Sequence, residues 1–293
     1  MDVWPLGVFA SIDAGLGVKL EIARELGVPT IQLHAPHAAT RTPRHADEFL
    51  QRLGEYGMRI TVVFAGFAGE SYADIPTCKR TVGLVPRETR AARVQELKEI
   101  ANFARVLEVD SVGLHVGFIP HDPQDPLRRE MIAVIRDVCG HLHDNRQRLH
   151  LETGQETAGT LLAFLHDAHC DNLFVNFDPA NMILYGSGDP IEAVRKVGHY
   201  VRSVHCKDAR WSAQPGETWG QETPLGEGDV DFEQFLAALK EIGYTGPLTI
   251  EREIPEDAVR QKEEIGAGIA VLDELKWRLL PHGGHAAPRE PSA

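Results

Sequence analysis

The chain has 293 residues, 43% hydrophobic and 25% charged, which is enough apolar material to bury one large core or two smaller ones. Its 43 acidic against 30 basic residues give a formal net charge of −13, with no dense Lys/Arg block to offset it. Such a surface repels phosphate backbones and anionic lipid, so nucleic acid and membrane are poor partners. No apolar run approaches the roughly 18 residues that a membrane span requires. Cys78, Cys139, Cys170 and Cys206 form no Cys-x-x-Cys and read as reduced thiols. With an acid at Asp2 in place of a basic stretch, no signal peptide is read, and a cytoplasmic location is expected.

Short β-branched runs alternate with longer amphipathic ones. Residues 3–10 read as a first strand, and 16–26 as a helix stopped by Gly27. A second strand over 29–34 leads to a helix over 43–56, stopped by Gly57, and 58–64 is a third strand rich in Ile, Val and Thr. Residues 65–85 show no periodicity, 87–107 is a long helix, and 110–115 a fourth strand before a helix over 127–144. Four more strands fall at 149–152, 173–177, 201–206 and 247–251, with helical stretches between them and a closing helix over 257–280. Eight strand–helix units without a linker predict a single-domain α/β fold, a (β/α)8 TIM barrel over residues 1–280. An open sheet is the alternative, but Gly15-Leu16-Gly17 does not continue into the dinucleotide-binding turn such a sheet would carry. Residues 281–293 read as a flexible C-terminal tail whose two histidines are solvated.

The late strands each end on a residue that can bind metal. Strand five ends at Glu152, strand six at Asp178 and strand eight at Glu251, while strand seven carries His205. In a barrel these ends share one rim, where such enzymes place their chemistry. A lone acid at a strand end is commonly a helix cap or a salt-bridge partner; four metal-competent residues in succession are not readily explained that way. Three carboxylates and one imidazole suit a single divalent ion, Mn²⁺ first, with Mg²⁺, Co²⁺ or Zn²⁺ compatible. The cation would also relieve the repulsion among the acids.

The motifs Leu151-Glu152-Thr153-Gly154, Phe177-Asp178-Pro179-Ala180-Asn181 and His205-Cys206-Lys207-Asp208 resemble the xylose isomerase-like barrel superfamily, the sugar phosphate isomerase/epimerase group. The resemblance continues through residues 224–232 and 249–253, while the first half matches only in architecture. It implies that Glu152, Asp178, His205 and Glu251 hold the metal. In the ketose 3-epimerase branch it implies further that Glu152 and Glu251 flank the substrate, one removing a proton beside the carbonyl and the other returning one to the opposite face. The metal would stabilise the enediolate between the two steps.

Other positions are candidates for contact with a small sugar. His115 ends strand four where the superfamily often has a sugar-contacting histidine; a hydrogen-bonded core histidine is the competing account. His34 and Gln32 can face the pocket from strand two, and Lys207 and Arg210 can hold a hydroxyl or phosphate unless they pair with Asp208 or Glu227. Glu156 either contacts substrate or serves as a helix-start acid. Phe64 and Phe67 can wall the pocket, and the long segments 65–85 and 207–230, with Trp211 and Trp219, can form a lid. Gly226, Gly228 and Asp229 are read as shaping a turn. Asn181 stands where many relatives carry a histidine, and Glu222 and Gly220 stand where endonuclease IV would need a histidine and an aspartate; with the acidic charge this disfavours DNA repair. The reading is thus a metal-dependent sugar epimerase or isomerase. Aldose–ketose or cyclitol isomerisation, or a metal-dependent lyase or hydrolase on oxidised glycosides, are the alternatives, and a homo-oligomer is compatible with any of them.

Overall fold

The structure, a computed structural model, describes residues 3–13, 17–255 and 257–280. The expected tail at 281–293 and the start of the helix expected from residue 16 lie outside the described residues. Eight parallel strands close into a barrel: β1 (Leu6–Ala10), β2 (Thr30–His34), β3 (Arg59–Ala65), β4 (Ser111–Leu114), β5 (Arg148–Glu152), β6 (Leu173–Phe177), β7 (Val201–Cys206) and, last in the chain, β10 (Leu248–Ile250). Between β7 and β10 a two-stranded antiparallel ribbon, β8 (Asp208–Arg210) with β9 (Gln221–Thr223), stands outside the barrel. The barrel closes where β1 pairs with β10, Gly7 opposite Thr249. The chain is therefore a single (β/α)8 barrel, as its alternation of units predicts.

The side-chain period of two decides what faces inward. Along β5, Leu149 and Leu151 join the main hydrophobic core, while His150 and Glu152 face the barrel interior. Along β7, Val204 and Cys206 join that core, whereas Ser203 and His205 face inward. Thr249 on β10 and Gln32 on β2 meet inside the barrel in the same way. Most of the core is thus the layer between strands and helices; Phe9, Val62 and Phe64 form a small separate apolar cluster. Successive inward positions carry polar groups, and hydrogen bonds connect them: His150 Nδ1 to Ser203 Oγ at 2.8 Å and Gln32 Nε2 to Asn176 Oδ1 at 3.3 Å. A barrel lined this way places its chemistry at the strand ends and its support one layer below.

Local signals place the helix starts. Thr42, Asp74, Asp125, Thr157, Asp178, Asp189, Asp231 and Asp257 each accept a backbone N–H at the start of a helix. Two differences from the sequence reading stand out. Residues 75–81 form a helix, Ile75–Thr81, within a segment that shows no periodicity. The first strand begins at Leu6 and not at residue 3, because Trp4 takes a positive φ of 56° and the rigid Pro5 follows it. Among the described residues no helix is long and apolar enough to cross a membrane.

Candidate metal centre and cavity

Four strand ends deliver one candidate ligand each. Glu152 is the last residue of β5, Asp178 caps the helix Pro179–Tyr185 after β6, His205 lies within β7, and Glu251 directly follows β10. The Glu251 N–H donates to the Cys206 carbonyl at 3.3 Å, extending the β10–β7 pairing by one residue. Thr153 ties two of the loops together: its Oγ1 donates to the Asp178 carbonyl at 3.0 Å and accepts the Asp178 N–H at 2.8 Å. One ligand atom from each of the four residues lies within 4.8 Å of all the others. His205 Nδ1 is 2.9 Å from Glu152 Oε1, 3.2 Å from Glu251 Oε2 and 3.8 Å from Asp178 Oδ2.

Charge makes this cluster costly without a cation. Asp178 and His205 are fully buried and Glu152 nearly so. Asp178 Oδ1 accepts the Asn181 N–H at 3.0 Å, but Oδ2 has no hydrogen-bond partner. Glu152 Oε2 also lacks an aligned donor, since His115 Nε2 lies 3.0 Å away but out of line. Burial pushes the Asp178 carboxyl well above its ordinary range; Lys207 pulls it down, and Glu152 and Glu251 push it further up. Burial opposes a charged His205, yet the Glu251 and Glu152 carboxylates hold its pKa well above the ordinary value. Burial likewise opposes ionisation of Glu251, but Lys207 and His205 keep its carboxyl below the usual range. Three carboxylates and one imidazole, with a ligand atom from each within 4.8 Å of the others and Asp178 Oδ2 unpartnered, fit one hard or borderline dication.

Neighbouring groups fix the ligands. His205 Nε2 meets Gln32 Oε1 at 2.9 Å, so Nε2 carries the proton and Nδ1 faces the acids. Gln32 is oriented in turn by Asn176 Oδ1 and, at 3.5 Å, Thr249 Oγ1. The rings of Phe9 and Phe64 hold the imidazole at centroid separations of 5.5 and 5.4 Å. On the other side Asn181 Nδ2 donates to Glu152 Oε1 at 3.0 Å. Gln155 Nε2 lies 3.0 Å from His115 Nδ1 and 3.2 Å from the Tyr185 hydroxyl, which orients His115 beside Glu152.

A cavity of about 310 Å³ opens above the cluster, with Glu152 and Glu251 in its wall. His34, His115 and Lys207 line it, as do Phe64 and Trp219, whose ring lies 4.5 Å from that of Tyr185. The structure does not bring Arg210 or Glu156 to it. Arg210 turns away to the Glu227 carbonyl, with Nε and Nη2 at 3.1 and 2.9 Å. Glu156 is buried behind the wall, one oxygen accepting the Ile119 N–H at 2.8 Å, and burial pushes its carboxyl up to about 8. Phe67 packs in the core under Arg93, and Trp211 is exposed; neither lines the cavity. Sequence reasoning did not single out Tyr72, Glu222, Arg252 and Glu253 as cavity wall, nor Gln155 as the support behind it. Arg252 and Glu253 adjoin the candidate ligand Glu251, a signal that could have found them; Tyr72 sits in a segment with no pattern to read.

The profile of the xylose isomerase-like TIM barrel family matches residues 20–275. A solved structure, the xylose isomerase domain protein of Planctomyces limnophilus, is 54% identical with a TM-score of 0.93, over 94% of this chain and 99% of its own. Inosose dehydratase of Clostridium botulinum is 29% identical over 36% of this chain and 38% of its own length. L-Ribulose-5-phosphate 3-epimerase of Salmonella paratyphi C is 39% identical over 25% of this chain and 24% of its own. The chain spans less than two thirds of the length of the curated relatives it matches first. The extent of the family match and the likeness to the Planctomyces protein agree with the observed barrel, and the chain belongs to the xylose isomerase-like TIM barrel family.

Proposed function

We propose that this protein is a divalent-metal-dependent enzyme that moves a proton at the carbon beside a carbonyl in a small sugar or cyclitol, with ketose 3-epimerisation the favoured reaction. The observation that carries this reading is the approach of two glutamates to one point from different sides. Glu152 and Glu251 flank His205 Nδ1 at 2.9 and 3.2 Å in the wall of the cavity. Their strands, β5 and β10, are separated in the barrel by β6 and β7, so the two carboxylates approach a bound sugar from opposite flanks. Glu152, Asp178, His205 and Glu251 are the residues that hold the metal, with Mn²⁺ favoured by the oxygen-rich set. When bound, the dication supplies positive charge for the carbonyl oxygen as negative charge develops there. A carbon acid of this type is far weaker than a carboxylic acid, so that stabilisation must contribute several kcal/mol.

The side chains divide the remaining work. One of Glu152 and Glu251 accepts the proton, and the other, across the site, serves the opposite face. Asn181 holds Glu152 Oε1, and His115 stands beside Oε2 within reach of a sugar hydroxyl. His34 and Lys207 border the same space, and Phe9, Phe64, Tyr72 and Trp219 offer apolar faces to the C–H side of a sugar ring or chain. The match to inosose dehydratase favours a second reading. A dehydratase begins with the same proton abstraction but then expels a β-hydroxyl in place of reprotonation.

Incubation with a panel of ketoses in heavy water and Mn²⁺ separates these outcomes. Deuterium entering carbon 3 with formation of the epimer is expected. Label at carbon 1 or 2 identifies an isomerase, and a product lacking water identifies the dehydratase. Neither label nor product across free ketoses and inososes would overturn the reading.

A further inference from the structure

We infer that the cavity takes an uncharged polyhydroxy carbonyl compound and rejects the corresponding phosphate ester, an inference that rests on the sugar-directed reading above. Five carboxylates, those of Glu70, Glu152, Glu222, Glu251 and Glu253, line the cavity against two permanent cations, Lys207 and Arg252. Asp178 below makes six, so a dication among the four ligands still leaves an excess of two negative charges.

Both cations are already committed. The Lys207 side chain is 3% exposed, and its Nζ lies 2.6 Å from Glu253 Oε1, 3.5 Å from Glu251 Oε2 and 3.7 Å from Glu222 Oε2. An ammonium has three N–H donors, and here three carboxylates surround it. Arg252 is held between Glu222 and Glu264, with Nε 2.8 Å from Glu264 Oε2. Arg210, the next base along the chain, donates to a backbone carbonyl outside the cavity. A phosphate monoester carries about 1.5 to 2 negative charges at neutral pH. It would have to shed its hydration among surplus carboxylates, with no uncommitted Lys or Arg among the described residues of the lining to receive it.

A hydroxyl-bearing ligand meets the opposite situation. Surplus carboxylate oxygens accept O–H donors, while Trp219 Nε1, buried without a partner, is a neutral donor in the same wall. This sets the chain apart from the Salmonella relative, whose name specifies a 5-phosphate.

The test is a calorimetric titration of the full chain, with Mn²⁺ present, using D-ribulose and D-ribulose 5-phosphate as paired probes. The free ketose is expected to bind roughly tenfold or more tightly than the ester, as like-charge juxtaposition costs that much or more. Glu253→Gln removes one negative charge beside Lys207, so the ratio should narrow in that variant, and it should narrow with added salt as well. Equal or tighter binding of the ester by the wild-type chain overturns the inference, as does failure of the free ketose to bind. Binding of the free ketose with no deuterium entering it sinks the reaction proposed above and leaves the charge selection standing.

Discussion

His205 has both ring nitrogens engaged inside the barrel: Nδ1 on the acids and Nε2 on Gln32, 2.9 Å away. An imidazole presents a lone pair to a metal only if its other nitrogen keeps the proton, and the Gln32 carbonyl oxygen secures that state. Gln32→Leu would leave a buried N–H without an acceptor, so Mn²⁺ affinity should fall by roughly 10- to 100-fold, as for other lost supports of a ligand histidine. Gln32→Glu retains the acceptor and should recover most of the loss; unchanged affinity in the folded Leu variant would refute the role. Gln32 was legible in part, since period two along β2 puts it on the inward face with His34. Its pairing with His205, 173 residues away, was not, because nothing local records which inward residues meet. Gln155 was illegible for another reason. It follows Gly154, whose φ of 142° breaks the strand periodicity from which facing could be read.

At the level of elements, the turn from β5 into the helix Ala158–Ala168 carries a buried acid with one donor. Burial raises the Glu156 carboxyl from an ordinary 4.5 to about 8 in the folded chain. As pH rises through that window the unfolded chain ionises first, so stability present near pH 4.5 is progressively lost toward pH 8. Glu156→Gln still accepts the Ile119 N–H and cannot ionise. Its melting temperature should match wild type near pH 4.5 and exceed it by several degrees at pH 8, with metal content unchanged. Identical melting curves at the higher pH would contradict the burial argument. The strand–helix alternation was legible because each unit carries its own period and stop. The helix Ile75–Thr81 was missed although Asp74 and Pro76 mark its start, since seven residues are too few for a period to emerge. The β8–β9 ribbon was missed because an internal acid holds its loop: Asp208 accepts backbone N–H groups from Ala209, Gly226, Gly228 and Val230. The approach is so close that a Cβ on Gly228 would lie 2.1 Å from Asp208 Oδ1, which gives the turn glycine its reason.

Over the whole molecule, barrel closure does what no segment does alone. Glu152, Asp178, His205 and Glu251 span a hundred residues of sequence, yet β5, β6, β7 and β10 are consecutive in the barrel, so their ends form one cluster. That much was legible from four strand ends and the parallel topology they imply. The saturation of Lys207 by acids from β9 and from the segment after β10 was not, because it depends on where those segments fold back. A cluster this buried and this acidic should be stabilised by the ion it fits. Ligand at 100 times its Kd contributes about 2.7 kcal/mol through mass action alone. The decisive measurement is calorimetric titration of the metal-stripped chain with Mn²⁺, paired with thermal melts, for wild type, Glu152→Gln and Asp178→Asn. One ion per chain and a raised Tm are expected for wild type, with both lost in each variant while the fold is retained. No saturable binding by wild type, or equal binding by all three chains, would contradict a metal centre at these four residues.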